Sequence, residues 1–253
     1  RLPLVSWGSE MCIRDRYRGI YILFEKLKSD DSRIDLNKIQ ADDNELPNLS
    51  GGYITKSDKI EGGDVRAWSM PNYGGWETNF VHEYPKPENI TSEQNNYIKN
   101  IFEDLYTKAE NQNKSIYNGY PSVIDVPSFL NFILINELAS NVDAYEFSTF
   151  FHKDRNGKLR AGPVWDFNLT YGNDLFSWGF DRSKINVWQH SYGNMGAKFW
   201  KNLFDEPYFK CYLSKRWIEL TSENNHLSEN NINSIIDSTA ESISEAVSRQ
   251  EQV

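Results

Sequence analysis

Apolar residues recur with the period of an α-helix in four stretches of the chain. The first, residues 91–111, begins at Thr91 and has Gln94 three residues later, which is the signature of a capping box. The second, residues 125–141, has Asp125 as its capping residue and is apolar around most of its surface. The pattern therefore predicts two helices, of which the second is deeply buried.

Two more helices are predicted towards the end of the sequence. One spans residues 206–221, and the other begins after Ser228, which is a suitable N-cap. The pattern of the last helix runs almost to residue 253 without a Gly or Pro stop signal. We therefore expect this helix to be cut by the end of the sequence.

Strands are predicted where β-branched and aromatic residues gather between turn signals. Residues 18–27 and 51–59 are two such stretches, and a hairpin is predicted around residues 154–157, which read DRNG. Pairs of glycines at residues 51–75 predict a loop-rich region. Strands come before helices without βαβ alternation, so the predicted fold class is α+β.

Composition narrows the class of protein. The chain has 253 residues, of which 39% are hydrophobic and 14% aromatic, which is enough for a sizeable core. Its formal net charge of −9 argues against a nucleic-acid partner, because such proteins carry a basic stripe. No apolar run is long enough for a membrane-spanning helix. The 2 cysteines cannot build a disulfide framework, and the 4 histidines lack the spacing of a zinc hydrolase.

The first residues differ in character from the rest of the chain. Residues 10–16 read EMCIRDR, which resembles the translation of a sequencing-library adaptor and has neither helical nor strand periodicity. We therefore predict that residues 1–16 are not native and carry no fold information. The domain is then expected to occupy residues 17–253 and to be incomplete at both ends.

One carboxylate stands where burial is expected. Asp166 follows a strand-like run and lies between Trp165 and Phe167. A carboxylate among buried aromatic residues is costly unless it is paired, hydrogen-bonded or bound to a metal. Pairing outward from the predicted hairpin turn brings Asp143 and Asp166 to the same open end of the hairpin, side by side.

Two carboxylates held together in a partly apolar site repel each other. One of them then takes up a proton, or both share a cation. This predicts a divalent metal site or an acid–base pair at Asp143 and Asp166. The alternative is purely structural, with Asp143 capping a loop and Asp166 forming a turn.

Two segments that contain these acids are distinctive: residues 136–154 read NELASNVDAYEFSTFFHKD, and residues 161–174 read AGPVWDFNLTYGND. At this spacing they resemble the CotH kinase family, which is named for a spore-coat protein and is common among secreted bacterial proteins. The resemblance extends from Tyr17 onward. It implies an atypical protein-kinase-like fold, with an incomplete N-terminal β lobe followed by a mainly helical lobe that carries a catalytic β-hairpin.

The resemblance also implies a reaction and its residues. Family members transfer phosphate from ATP to serine with a divalent metal, here Mg²⁺, Mn²⁺ or Ca²⁺. The protein substrate would carry Ser or Thr and would be extracellular or at the cell surface. The implied roles are a catalytic one for Asp143, a metal-binding one for Asp166, Asn168 and Ser148, and a nucleotide-supporting one for Glu25. Asn173 lies in a turn close in sequence to Asp166, so it is predicted to join the polar surroundings of that residue and to support the nucleotide.

The chain departs from the family pattern at two of these positions. Many members carry Asn where this chain has Ser148 and a second Asp where it has Asn168. By this resemblance, strands that would carry a phosphate-binding lysine are expected to precede the part of the domain that this sequence covers. Two other functions therefore stay open, a catalytically silent secreted binding module and a carbohydrate-active protein that uses the paired carboxylates.

Overall fold

A computed structural model describes residues 8–13, 16–22, 27, 29–173, 184, 186–191 and 196–250. The chain divides into two compact units, one formed by Ser29–Ser214 and the other by Arg1–Lys28 with Lys215–Val253. None of the described helices is long and apolar enough to cross a membrane.

The described elements follow in chain order. The strands are β1 (Gly8–Ile13), β2 (Arg16–Ile22), β3 (Tyr53–Ser57), β4 (Arg66–Pro71), β5 (Glu77–Tyr84), β6 (Thr149–Lys153) and β7 (Arg160–Ala161). The helices are α1 (Ser92–Glu110), α2 (Tyr120–Val123), α3 (Val126–Leu138), α4 (Lys198–Asp205), α5 (Pro207–Thr221) and α6 (Glu229–Gln250). Strands and helices together give an α+β fold, as the sequence predicts.

A five-stranded antiparallel sheet in the order β4-β5-β3-β6-β7 organises Ser29–Ser214. In its centre, Thr55 pairs with Phe151 and Lys56 pairs with Phe150. Because successive side chains on a strand point to opposite faces, Phe151 and Phe150 lie on opposite faces of the sheet. Phe151 is fully buried in an aromatic cluster, whereas Lys56 and Phe150 share the other face.

The aromatic cluster is the core of this unit. Its rings come from the sheet and from α1, α3 and α4, and they pack with centroids 4.9 to 6.2 Å apart. The fully buried members are Phe80, Phe102, Phe129, Phe151, Phe199 and Trp200. Burial of this much aromatic surface fixes α3 against the sheet, and therefore fixes the loop that follows α3.

The four predicted helices form as α1, α3, α5 and α6, whereas α2 and α4 were not predicted. Thr91 and Gln94 form the predicted capping box at the start of α1. The side chain of Asp125 accepts a hydrogen bond from the N–H of Ser128 at 2.9 Å and so caps α3. α3 ends at Leu138 rather than at residue 141, because the chain turns into a loop there.

The sheet departs from the prediction in one place. The glycine-marked region at residues 51–75 contains β4 as well as loops, and β5 follows it. The alternation of apolar and polar residues that is typical of a strand was present in β4, where the buried Trp68 and Met70 alternate with less buried residues. Trp68 stacks on Phe80 of β5 with ring centroids 5.2 Å apart, and this cross-strand contact stabilises the pair.

In the second unit, β1 and β2 form an antiparallel hairpin, and α6 lies against it. β2 covers the first half of the strand predicted at residues 18–27, and residues 23–26 lie outside the described residues. β1 falls within residues 1–16, so Gly8–Ile13 of this segment form a strand. Their non-native origin stays a prediction.

Lys153, at the end of β6, gives the fold a pH dependence. Its side chain is buried at 4% exposure, and its ammonium donates to the carbonyl oxygen of Ser50. Burial lowers the pKa of Lys153 to about 8, although the charge of Asp154 opposes this shift. The unfolded chain therefore binds more protons than the folded one between that value and the ordinary lysine value, so stability rises with pH across this window.

We expect Lys153→Met to remove this dependence. The free energy of unfolding of the natural protein should rise relative to that of the variant by about 2 kcal/mol between about pH 7 and about pH 9.5. Urea unfolding at several pH values measures the difference. The measurements stop at about pH 9.5 because burial raises the pKa of Tyr53 in the folded protein. At higher pH this tyrosine would ionise more readily in the unfolded chain, and that would destabilise the fold. Parallel curves for the two proteins would contradict the prediction.

Candidate active site

The predicted hairpin forms, and its end leads the chain to Asp166. In β6 and β7, Phe151 pairs with Ala161 and His152 with Arg160. The N–H of Gly162 still bonds to the carbonyl oxygen of Phe150 at 2.8 Å, but Pro163 has no N–H and the ladder stops. The chain then leaves the sheet. The ring of Trp165 packs edge-on against Phe150, and Asp166 is the next residue.

Asp143 lies in the loop between α3 and β6, which leads into the first strand of the hairpin. Two backbone hydrogen bonds join this loop to the segment after Asp166. The N–H of Val142 donates to the carbonyl oxygen of Leu169 at 3.4 Å, and the N–H of Tyr171 donates to that of Ala139 at 2.7 Å. These bonds fix the two segments that carry the carboxylates relative to each other.

The two acids line one open cleft of about 260 Å³. The lining residues are Asp58, Lys59, Glu61, Asp64, Asp143, Phe147, Ser148, Trp165 and Asp166. Ser148 Oγ donates to Asp166 Oδ2 at 3.3 Å. Asp143 is half-buried and Asp166 is exposed, so the expectation that Asp166 is buried among aromatic residues is wrong. The carboxylates instead stand at a surface that a ligand can reach.

The end of β3 supplies a wall of the cleft that the sequence patterns did not predict. Continuing the β3–β6 register places Asp58 opposite Ser148, and the N–H of Ser148 points to Asp58 Oδ1 at 3.4 Å. Asp58 therefore connects the sheet to the loop that carries Asp143. The sequence KSDK contained this residue, but the pairing of β3 with β6 was needed to bring it to the cleft.

Lys56 sits behind this wall within a cluster of carboxylates. Its Nζ lies 3.1 Å from Asp58 Oδ2, 3.2 Å from Asp64 Oδ2 and 3.5 Å from Glu83 Oε1. Burial works against the charge, but the hydrogen bonds and charges of Asp58 and Asp64 raise the pKa of Lys56. Lys56 thus stays protonated and offsets part of the negative charge beside the cleft.

The cleft itself is strongly acidic. Among the described residues that line it, five are carboxylates and one, Lys59, is a cation. The Nζ of Lys59 lies 5.0 Å from the centre of the Phe147 ring. Since nearby like charges disfavour each other's ionised forms, a cation that enters this cleft would be attracted.

Backbone strain is concentrated around the acids. Tyr145 has φ 73°, Ser148 has φ 48° and Asp166 has φ 61°, all in the left-handed region. Asp tolerates this region, but a bulky residue such as Tyr seldom adopts it. Such conformations persist only where the surrounding contacts fix them, and they cluster at functional sites.

Comparison with known families identifies the family of the chain. The family model described as CotH kinase protein matches residues 9–253, which is nearly the whole chain. The chain belongs to the CotH kinase family. No curated protein and no solved structure matches it.

The remaining predicted site residues of this CotH family member either do not line the cleft or lie outside the described residues. Asn168 and Asn173 are exposed and are not among the residues that line the cleft. They contact each other, because the side-chain amide of Asn173 donates to the carbonyl oxygen of Asn168 at 2.7 Å. Glu25 lies outside the described residues. The proposed roles of these three residues stay predictions.

No group of three or more His, Cys, Asp or Glu residues within the described ranges is arranged to hold a metal ion.

Proposed function

We propose that this protein transfers the γ-phosphate of ATP, with a divalent cation, to Ser or Thr hydroxyls of a secreted or cell-surface protein. The observation that carries the proposal is the meeting of Asp143 and Asp166 in one open cleft, in a chain of the CotH kinase family. Phosphoryl transfer needs little from a protein beyond positioning and charge stabilisation, and two carboxylates with separate roles supply both.

Asp143 is proposed as the residue that orients the acceptor hydroxyl. The hydroxyl oxygen attacks the γ-phosphorus, the bond from that phosphorus to the bridging oxygen of ADP breaks, and the hydroxyl proton passes to the Asp143 carboxylate. Asp143 suits this task because it is half-buried and its loop is bonded to α3, so the carboxylate keeps its position.

Asp166 is proposed as the principal protein ligand of the cation. Carboxylate and hydroxyl oxygens are the ligands that Mg²⁺, Mn²⁺ and Ca²⁺ prefer, and the cleft offers them at Asp166 and Ser148. Asn168 would contribute an amide oxygen after a small rearrangement. When bound, the cation would neutralise charge that develops on the phosphates.

The charge of the cleft supports a strict need for the cation. ATP is an anion, and it would meet the carboxylates of Asp58, Glu61 and Asp64 as well as those of Asp143 and Asp166. Nucleotide alone should therefore bind poorly. Lys59, which lines the cleft, is the proposed direct contact to phosphate, and Glu25 and Asn173 are proposed to support the nucleotide.

A catalytically silent binding module is the second candidate. Ser148 offers a weaker oxygen than the Asn found in many relatives, and its hydroxyl already donates to Asp166. Both features would weaken a cation at Asp166. A silent protein would keep the fold and the cleft but would show no transfer with any metal.

The test combines binding with chemistry. Thermal shift with ATP and each of Mg²⁺, Mn²⁺ and Ca²⁺ reports nucleotide binding, and phosphate incorporation into a general Ser-containing acceptor reports transfer. The protein should carry its natural residues before Tyr17, since residues 1–16 are predicted not to be native. We expect a metal-dependent shift together with incorporation. Cleavage of a glycan without any nucleotide dependence would instead support the carbohydrate-active alternative.

Ser148→Asn is expected to tighten metal-dependent ATP binding. Asn brings a carbonyl-type oxygen to the cleft, and Asn accepts the left-handed conformation of this position better than most residues. The expected gain is about three- to tenfold in ATP affinity with Mg²⁺, measured by calorimetry, with no change in its absence. Ser242→Asn, at an exposed position of α6 outside the cleft lining, is the control for the same change of residue type. Weaker binding in Ser148→Asn would contradict the proposed ligand role of Ser148.

A further inference from the structure

Two consecutive polar residues lie in the last turn of the apolar helix α3, just before Leu138. Asn136 is 1% exposed, and the side chain of Glu137 is 8% exposed. A buried amide and a buried carboxylate destabilise a fold unless hydrogen bonds satisfy them. The partners of these two side chains lie on either side of Asp143.

Asn136 holds the chain before Asp143. Asn141 Nδ2 donates to Asn136 Oδ1 at 2.8 Å, and Asn141 Oδ1 accepts the N–H of Asp143 at 3.2 Å. Asn136 Nδ2 in turn donates to the carbonyl oxygen of Phe132 at 2.8 Å. Both asparagines are almost fully buried, so water does not compete for these bonds. The backbone of Asp143 is thereby tied to α3.

Glu137 holds the chain after Asp143. The hydroxyl of Tyr145 donates to Glu137 Oε1 at 2.6 Å. The N–H groups of Gln189 and His190 donate to the same carboxylate at 2.6 and 3.1 Å. Tyr145 is fully buried and is one of the left-handed residues, so this bond fixes a conformation that a tyrosine otherwise avoids.

We infer that Asn136 and Glu137 act as a clamp that positions Asp143, with Asn141 and Tyr145 as its two contacts to the loop. The clamp holds the chain two residues before Asp143 and two residues after it. Neither Asn136 nor Glu137 lines the cleft, so both are positioning residues. The effect of the clamp on transfer rests on the proposed function, whereas its effect on the loop does not.

The chain offers a matched pair of variants to test the clamp. Tyr145→Phe removes one buried hydroxyl from Glu137, and Tyr120→Phe removes one from Glu206. Tyr120 is likewise buried, and its hydroxyl donates to Glu206 Oε2 at 3.0 Å; neither residue lines the cleft. Both variants should lower Tm by similar amounts. Only Tyr145→Phe should lower kcat, by about tenfold or more, with the KM for ATP within about twofold.

Hydrogen exchange supplies a readout that does not depend on activity. Amide exchange of residues 140–148 should become faster in Tyr145→Phe and in Asn141→Ala, and should stay unchanged in Tyr120→Phe. Equal losses of kcat in the two tyrosine variants, or unchanged exchange at residues 140–148 in Tyr145→Phe and Asn141→Ala, would overturn the clamp. A natural protein without any transfer would reject the proposed function instead, and the exchange data would still decide on the clamp.

Discussion

Replacing Asp166 with Asn is expected to abolish metal-dependent ATP binding and to lower phosphoryl transfer by at least about a thousandfold, on the order of 4 kcal/mol of transition-state stabilisation. Asp166 is the carboxylate proposed to hold the cation, and an amide oxygen lacks its charge. Asn is preferred to Ala here because it tolerates the left-handed backbone of this residue. The backbone of the cleft should therefore be preserved.

Calorimetry of ATP with and without Mg²⁺ measures the binding loss, and phosphate incorporation measures the transfer. Asp104→Asn, on α1 and outside the cleft lining, is the matched control and should bind and react normally. Removing one of several mutually repelling carboxylates should also leave Tm in metal-free buffer equal to or above that of the natural protein. Equal ATP affinity in Asp166→Asn and the natural protein, with no transfer by either, would favour the silent binding module.

Replacing Asp143 with Asn is expected to stop the chemistry and to spare nucleotide binding. The Asn side chain has the same shape but cannot accept the hydroxyl proton, so kcat should fall by about a hundredfold to ten thousandfold. The dissociation constant of Mg²⁺–ATP should stay within about threefold, because Asp143 is not the proposed cation ligand.

The two variants are informative because they are expected to fail differently. Single-turnover incorporation at saturating Mg²⁺–ATP separates the loss of chemistry in Asp143→Asn from the loss of binding in Asp166→Asn. If Asp143→Asn lost ATP affinity as strongly as Asp166→Asn, both residues would be cation ligands, and the separate roles proposed for them would be wrong.

The sequence predicted α1, α3, α5 and α6 because each has a strong local signal, but it did not predict the short helices α2 and α4. The capping box at Thr91 and the cap at Asp125 mark helix starts through contacts within a single turn. The hairpin was equally local, since an Asn-Gly turn strongly favours pairing of the strands on either side of it. The register that follows from this turn was sufficient to predict that Asp143 and Asp166 meet at one end of the hairpin.

Strands β4 and β5 and the wall of the cleft at Asp58 were not predicted from the sequence. Glycine pairs in this region indicated loops, whereas contacts between strands, such as Trp68 on Phe80, decide the outcome. Strand preference depends on packing against neighbours far away in sequence, which local patterns do not report. The same reason hid the carboxylate cluster around Lys56, whose partners come from the end of β3, from the β3–β4 loop and from β5.

By itself, the sequence determined the α+β class, the starts of α1, α3, α5 and α6, the hairpin and the resemblance to the CotH kinase family. All of these depend on short-range patterns or on motifs read along the chain. Only the tertiary structure decided which side chains meet. It placed Asp58 opposite Ser148 through the pairing of β3 with β6. It also directed Asn136 and Glu137 to the two flanks of Asp143, because the buried end of α3 packs directly beneath that loop.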